Sequence, residues 1–483
     1  MLTSPVNQYQ PQVLLLAPKQ GEDLNTLSMM AQFLEMGVAV ELDENWRLPT
    51  EPPRDLSAYR ACVLPDTAEN ELDKELTKYV EAGGFVPYFR YFPTQYGGGM
   101  SGVHHFFESF GRDAYFFHCA NVVLEAGFDL PDQDFREVLQ QRDAQNMLDE
   151  VREPYVDKYS KQEGPWSSWG DPQYTQFLTC FESAMRLDDP QWLEVVTRCL
   201  QRLNDTVPHY LENHVSYQEI KRPDVVQCHA AIMAEVLMTY GHQLGRDDFV
   251  ETGIKLARFY VDHGTVHDGY FHEAYHRQVW SENLYSGPAL FGLGRFLNDP
   301  KYHELALSTM RLIAENNLQP DGLWRHWSDS IHRHSLIWSR GNSWPVTWMT
   351  RSILIIEDKA CEASQYLLGL IRKTFEGLRQ HQDLETGLWR LVVDDPHTRI
   401  ETSAVTQHLY CHAVLRSQGL IGDEYNDMFD EAYQGMKCMW YRGGLAGNCR
   451  GTASGNDHYY RTRPIGYYDK TLFPYLFADR LAQ

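Results

Sequence analysis

The chain has 483 residues, 43% of them apolar and 23% charged, with a formal net charge of −23. That length exceeds one ordinary hydrophobic core and implies two or three domains. The acid excess argues against nucleic acid or an anionic membrane as a partner, so an acidic ligand would need a local basic lining.

The first twenty residues, MLTSPVNQYQPQVLLLAPKQ, lack a basic leader and hold only the short apolar run VLLLA. They do not read as a secretory signal, and no stretch approaches the ~18–20 apolar residues of a membrane helix. Nine cysteines, odd in number and without a CxxC pattern, read as reduced thiols of a cytoplasmic protein. Residues 1–130 alternate strand and helix signals. Strand candidates are 13–18, 38–43, 61–66 and 85–89, with helical spacing over 24–37 and 69–84. The rhythm predicts a small α/β, flavodoxin-like domain with a parallel sheet. The run GGGMSG at 97–102 lacks both GxGxxG and GK[ST] and reads as a turn rather than a phosphate loop.

From 131 to 483 helical segments follow one another without a convincing strand between them. Their apolar spacing predicts twelve, at about 134–150, 173–187, 190–206, 224–240, 247–262, 280–297, 301–317, 343–357, 362–380, 401–417, 424–439 and 469–481. A Gly-aromatic turn recurs as DGYFHEA, DGLWRHW, TGLWRLV and GGLAGN. Its glycines fall at 269, 322, 387 and 444, at intervals of 53, 65 and 57 residues. That is the length of a helical hairpin with its loops. Six hairpins can close into a ring, an (α/α)6 barrel, and their turns then collect at one end. An open solenoid would have shorter, more uniform repeats.

The densest chemistry lies between Asp321 and Trp348. It contains tryptophans 324, 327, 338, 344 and 348, arginines 325, 333 and 340, and histidines 326, 332 and 334. Arg grips a carboxylate bidentately and Trp offers a broad apolar face, so the stretch suits a sugar acid. The alternative is a loop entering a buried helix, with Trp as packing. Polar RGNSW at the helix head favours a site. Glu282, in WSENLY, and Asp224, in KRPDVVQ, both open helices, where a carboxylate is favoured for structural reasons alone. They lie about one repeat apart and would face one another across a closed ring, where two carboxylates raise one another's pKa. Histidines 263, 267, 272 and 276 span a Gly-containing turn without HExxH, so no metal and no cofactor is expected. The polar, aromatic segment 447–470 offers Tyr459, Tyr460, Arg461 and Arg463 as a site wall.

WSRGNSW at 338–344 resembles the W-x-R-G-N/Q-x-W signature of glycoside hydrolase families 88 and 105, the unsaturated glucuronyl and rhamnogalacturonyl hydrolases. DGLWRHWSD, the TGLW turn followed by ETSAV, and CRGTASGNDHYYRTRP are similar to motifs of those families, in the same order. The N-terminal layout resembles glutamine-amidotransferase-like domains, although neither Cys62 nor Cys119 sits at a strand-to-helix elbow. The resemblance implies an (α/α)6 barrel and an acid at Glu282, where those families carry Asp, with Asp224 as the second carboxylate. It implies that His326, Arg340 and Trp344 hold a uronate and that Trp166 stacks on the sugar; Asn342, within RGNSW, and Tyr460 and Arg463, within 447–470, are further substrate-binding candidates. The implied reaction is hydration of a C4=C5 double bond in a terminal unsaturated uronate of an oligosaccharide. Hydrolysis of saturated β-glucuronides, sugar 2-epimerisation and a non-catalytic sugar sensor stay open beside it, as does self-association into a homo-oligomer.

Overall fold

The computed structural model describes residues 13–16, 40–43, 56–59, 61–63, 78 and 82 in the N-terminal part. It then describes 189–217, 225–438 apart from 265, 268–269, 272–277, 330–334, 385, 397 and 399, and finally 440–441, 444–449, 460 and 465–468. The chain divides into two compact units. One comprises Met1–Arg142, Asp395–Thr402 and Met436–Asp469; the other comprises Asp143–Asp394, Ser403–Gly435 and Lys470–Gln483.

In the first unit, strands β1 (Val13–Leu16), β2 (Val40–Asp43) and β3 (Ala61–Val63) form a parallel sheet in the order β2-β1-β3. Val13 pairs with both Val40 and Ala61. Val13 and Leu14 are buried, as an apolar run in a parallel sheet requires. The strand expected at 85–89 and the helices at 24–37 and 69–84 lie outside the described residues, apart from Lys78 and Ala82. A separate antiparallel sheet in this unit joins Trp440–Tyr441, Gly444–Cys449 and Ile465–Tyr468.

The second unit is built from helices. Nine are present among the described residues: α1 (Pro190–Tyr217), α2 (Val225–Leu244), α3 (Asp247–His263), α4 (Ser286–Leu297), α5 (Pro300–Asn317), α6 (Ser339–Ile355), α7 (Glu362–Gln380), α8 (Ser403–Ser417) and α9 (Asn426–Cys438). Each matches a helix expected from the spacing. The three expected at 134–150, 173–187 and 469–481 lie outside the described residues. Helices pair as α2 with α3, α4 with α5, and α6 with α7, while α2 packs on α4, α4 on α6, and α6 on α8. The repeating hairpin therefore has one inner and one outer helix, which is the (α/α)6 architecture.

Burial explains which helix goes inside. On α8 every residue from Ser403 to Leu415 is buried, and on α4 every residue from Ser286 to Gly294. A helix covered on all sides has no solvent face to keep polar. On α7, by contrast, the buried residues are Ser364, Leu367, Leu368, Ile371, Thr374, Phe375, Gly377 and Leu378, a stripe at three- and four-residue spacing. The inner helices are tied by polar groups as well as by packing. Arg351 on α6 forms a fully buried ion pair with Glu235 on α2 and donates to the Tyr240 hydroxyl at 3.2 Å.

The Gly-aromatic turns have a steric cause. Gly322 and Gly387 sit at φ +95° and +71°, and a Cβ on either would lie 2.0 Å from the Lys373 carbonyl oxygen or 2.5 Å from that of Glu431. Each turn precedes an inner helix and presses on the outer helix that follows it. The outer helices answer with glycines of their own: a Cβ at Gly377 would lie 2.6 Å from the Asp321 carbonyl oxygen, and one at Gly435 would lie 1.9 Å from that of Thr386. Among the described residues no helix is long and apolar enough to cross a membrane.

Candidate active site

Glu282 lies in a 3₁₀ turn, Ser281–Tyr285, that leads straight into α4. The turn is entered from strand β4 (Gln278–Trp280), which pairs antiparallel with β5 (Trp327–Asp329), so that Trp280 faces Trp327. The Ser281 amide extends this ladder by donating to the His326 carbonyl at 2.8 Å. The pairing delivers two of the candidate side chains to one place: His326 Nε2 lies 3.1 Å from Glu282 Oε1. The imidazole is fully buried, whereas the carboxylate side chain keeps 18% of its surface exposed. The acid is thus backed by a fixed ring and still open to a ligand.

The ring is held on three sides. Trp280 meets it edge-on at a centroid distance of 4.6 Å, and Trp338 lies at 4.6 Å with planes inclined by 60°. Gly341 supplies the third wall. A Cβ there would come within 3.1 Å of the His326 Cβ, tighter than ordinary van der Waals contact.

Arg340 occupies the first turn of α6. Its guanidinium lies over the Trp338 ring at 4.5 Å, a cation–π contact, and its Nη1 donates to Ser403 Oγ at 3.1 Å. Ser403 is the first residue of α8. The acid, the arginine and the serine that braces it therefore stand at the entrances of three successive inner helices. Trp344, one turn further along α6, stacks on Trp348 at 5.8 Å with nearly parallel rings and remains half-buried.

Some expected positions look different in the structure. Asn342, expected to touch a ligand, is wholly buried. Its Nδ2 donates to the carbonyls of Trp324 and Trp338 at 3.0 and 2.8 Å, and its Oδ1 accepts from the Trp324 amide at 2.6 Å. Those bonds satisfy both ends of the amide and pin the DGLW turn behind the acid. Of the five tryptophans, 324, 327, 338 and 348 are buried, and Trp324 donates its indole N–H to Thr374. Most of this aromatic stretch builds the wall, and only Trp344 keeps a partly open face. Tyr460 belongs to the first unit and is fully buried there. Trp166, Asp224 and Arg463 lie outside the described residues, as do Arg333, His332, His334, His272 and His276. Among the described residues no cluster of His, Cys, Asp and Glu is arranged to hold a metal ion.

Two residues at the site escaped sequence reading. Ser281 stands beside the acid in WSENLY and Ser403 lies within ETSAV, and neither has a motif role of its own there. Each acts through a hydroxyl hydrogen bond to a residue about sixty positions away, so no local periodicity marks it.

A family profile described as Glycosyl Hydrolase Family 88 matches residues 153–478. The chain belongs to that family and is a glycoside hydrolase. Among characterised relatives, the unsaturated rhamnogalacturonyl hydrolase YesR of Bacillus subtilis (strain 168) is 25% identical over 250 residues, covering 49% of this chain and 68% of the relative. A family 105 glycoside hydrolase from C. acetobutylicum superposes with a TM-score of 0.56 at 16% identity, covering 71% of this chain and 99% of that one. The unsaturated glucuronyl hydrolase of Bacillus sp. GL1 gives 0.50 at 12% identity, covering 71% and 96%. At such identities the superpositions establish the shared fold alone.

Proposed function

We propose that the protein removes a terminal Δ4,5-unsaturated uronate from a short oligosaccharide by hydrating the C4=C5 bond, with Glu282 as the acid. The observation that carries this reading is the Glu282–His326 contact of 3.1 Å, with the acid partly open and the imidazole buried in a tryptophan box. Membership of family 88 and the activities of the relatives support the substrate class.

Each step follows from the carboxyl group's two protonation states. Protonated Glu282 gives its proton to C4, and the electron pair of the double bond forms the new C–H bond. Positive charge then develops at C5, shared with the ring oxygen. The resulting carboxylate takes a proton from water as the water oxygen bonds to C5. The C5 hemiketal opens to a ketone, and its ring oxygen leaves with a proton, generating a hemiacetal at C1. That hemiacetal collapses to an aldehyde and releases the neighbouring sugar with the glycosidic oxygen. Arg340, braced by Trp338 and Ser403, binds the uronate carboxylate, and Trp344 offers its open face to a sugar ring. Asp224 and Trp166 complete the proposed set, with residues 1–130 as an accessory domain to the barrel of 131–483.

The test is a substrate panel. Unsaturated disaccharides should lose the ultraviolet absorbance of the conjugated double bond, and Glu282→Gln should abolish that loss. Cleavage of saturated β-glucuronides alone would sink the hydration reading. Interconversion of free aldoses without release of a sugar would indicate an epimerase instead.

A further inference from the structure

Helix α6 contains a proline in its seventh position, Pro345. A proline has no amide hydrogen, so the carbonyl four residues earlier, that of Gly341, loses its helical donor. A buried carbonyl left without a donor is costly. The structure supplies a replacement from elsewhere: Ser281 Oγ donates to the Gly341 carbonyl at 3.0 Å, with both residues buried.

We infer that Ser281 is a positioning residue for Glu282, its hydroxyl taking the place of the amide that Pro345 lacks and thereby locking the acid-bearing turn onto α6. The inference rests on the proposed role of Glu282. Ser281 adjoins the acid in sequence, and Gly341 lies between Arg340 and the residues leading to Trp344. The hydrogen bond joins the turn that carries the acid to the helix that carries the carboxylate-binding arginine. It also fixes the spot where Gly341 walls the His326 ring. The backbone bond from the Ser281 amide to the His326 carbonyl holds the same residue from the opposite side. Ser281 is thus fastened at its amide to the β5 side and at its hydroxyl to α6, and Glu282 follows without a flexible joint.

This arrangement makes a prediction that a plain packing role does not. Restoring the amide should satisfy the Gly341 carbonyl and relieve the stability cost of losing the serine, but it cannot retie the acid-bearing turn to α6, so stability and kcat should part company. Four proteins are compared: wild type, Ser281→Ala, Pro345→Ala and Ser281→Ala/Pro345→Ala. Each is assayed for kcat and KM on an unsaturated uronyl disaccharide and for its unfolding midpoint in urea. Ser281→Ala should lower kcat about tenfold or more, since sub-ångström to ångström misplacement of an acid costs on this scale, with KM changed less than about threefold. The double variant should keep a kcat within about threefold of Ser281→Ala, because no hydroxyl ties the turn to α6. The urea midpoint should instead recover toward that of Pro345→Ala, because the Gly341 carbonyl regains a donor. If Ser281→Ala cannot be obtained folded while the double variant can, the rescue is demonstrated at the level of folding. Equal kcat for Ser281→Ala and wild type overturns the inference, as does a double variant whose kcat recovers, or one that is as unstable or as unfoldable as Ser281→Ala. A wild type inactive on every unsaturated uronide defeats the proposed function instead. In that event rescue of the urea midpoint alone still shows that hydroxyl and amide compete for one carbonyl, whereas its absence overturns the inference as well.

Discussion

Shortening the acid by one methylene is the sharpest perturbation the geometry allows. Glu282→Asp keeps the charge, the 3₁₀ turn and the helix entrance, and alters only reach. In the native enzyme Oε1 lies 3.1 Å from His326 Nε2. Removing one carbon–carbon bond of about 1.5 Å draws the carboxylate back. Along the contact direction this stretches the separation to about 4.5 Å, beyond hydrogen-bond reach. The turn cannot follow, because the Ser281 amide and hydroxyl anchor it to the His326 and Gly341 carbonyls. Displacement of a reacting group by about an ångström costs roughly 100-fold in rate, or about 3 kcal/mol of barrier. The assay is the decay of ultraviolet absorbance with an unsaturated disaccharide at saturating concentration. KM should change little, because the proposed carboxylate grip belongs to Arg340. Glu282→Gln serves as the reference for a lost general acid, a deficit of about 100- to 10,000-fold. If Glu282→Asp turns over within about threefold of wild type, the anchored-turn argument is wrong.

Three further outcomes follow from particular side chains. Arg351→Ala should destabilise the fold by about 3–5 kcal/mol in urea unfolding, because it strands the buried Glu235 carboxylate, whereas Arg351→Met with Glu235→Gln should cost much less. Gly322→Ala should lower stability by more than about 1 kcal/mol through its positive φ alone, and further because the new Cβ meets the Lys373 carbonyl oxygen, read as a fall in thermal midpoint. Burial holds the His408 imidazole down to about 3 from an ordinary 6.5, so it stays neutral in the folded protein. The unfolded chain takes up that proton first, so this contribution to stability is intact above pH ~6.5, falls as pH drops, and amounts to about 5 kcal/mol of lost stability near pH 3. His408→Leu should flatten the acid limb of a stability-versus-pH curve by one proton.

The helical repeat was plain in the sequence because its cause is local. Outer helices such as α7 carry an apolar stripe, and the Gly322 and Gly387 turns need residues that tolerate positive φ, so both leave a periodic trace. The matching glycines at 377 and 435 bear the same steric imprint and could have been read as a second repeat. The start of α6 was harder. Proline normally opens a helix, which made 343 the natural beginning before Pro345. The helix begins at Ser339 instead, and the missing amide bond is replaced by a serine about sixty residues away. Asn342 reads as a ligand contact, and the tryptophans around it as ligand faces or packing, because polar and aromatic residues at a helix head suggest a site. Their burial is set by hydrogen bonds and packing to other parts of the chain, which no window of sequence displays. The Glu282–His326 contact depends likewise on the β4–β5 pairing. Its members could be nominated from motifs, but the spacing between them is a tertiary fact.

The central claim is that reaction begins at the double bond rather than at the glycosidic carbon. Simultaneous recording of ultraviolet absorbance and released sugar from one unsaturated disaccharide, in deuterium oxide, tests it most directly. Hydration predicts that absorbance falls no later than sugar appears, and that the earliest product carries deuterium at C4. Release of sugar while the absorbance persists, with no deuterium at C4, would show that the glycosidic bond is cleaved first and would contradict the account.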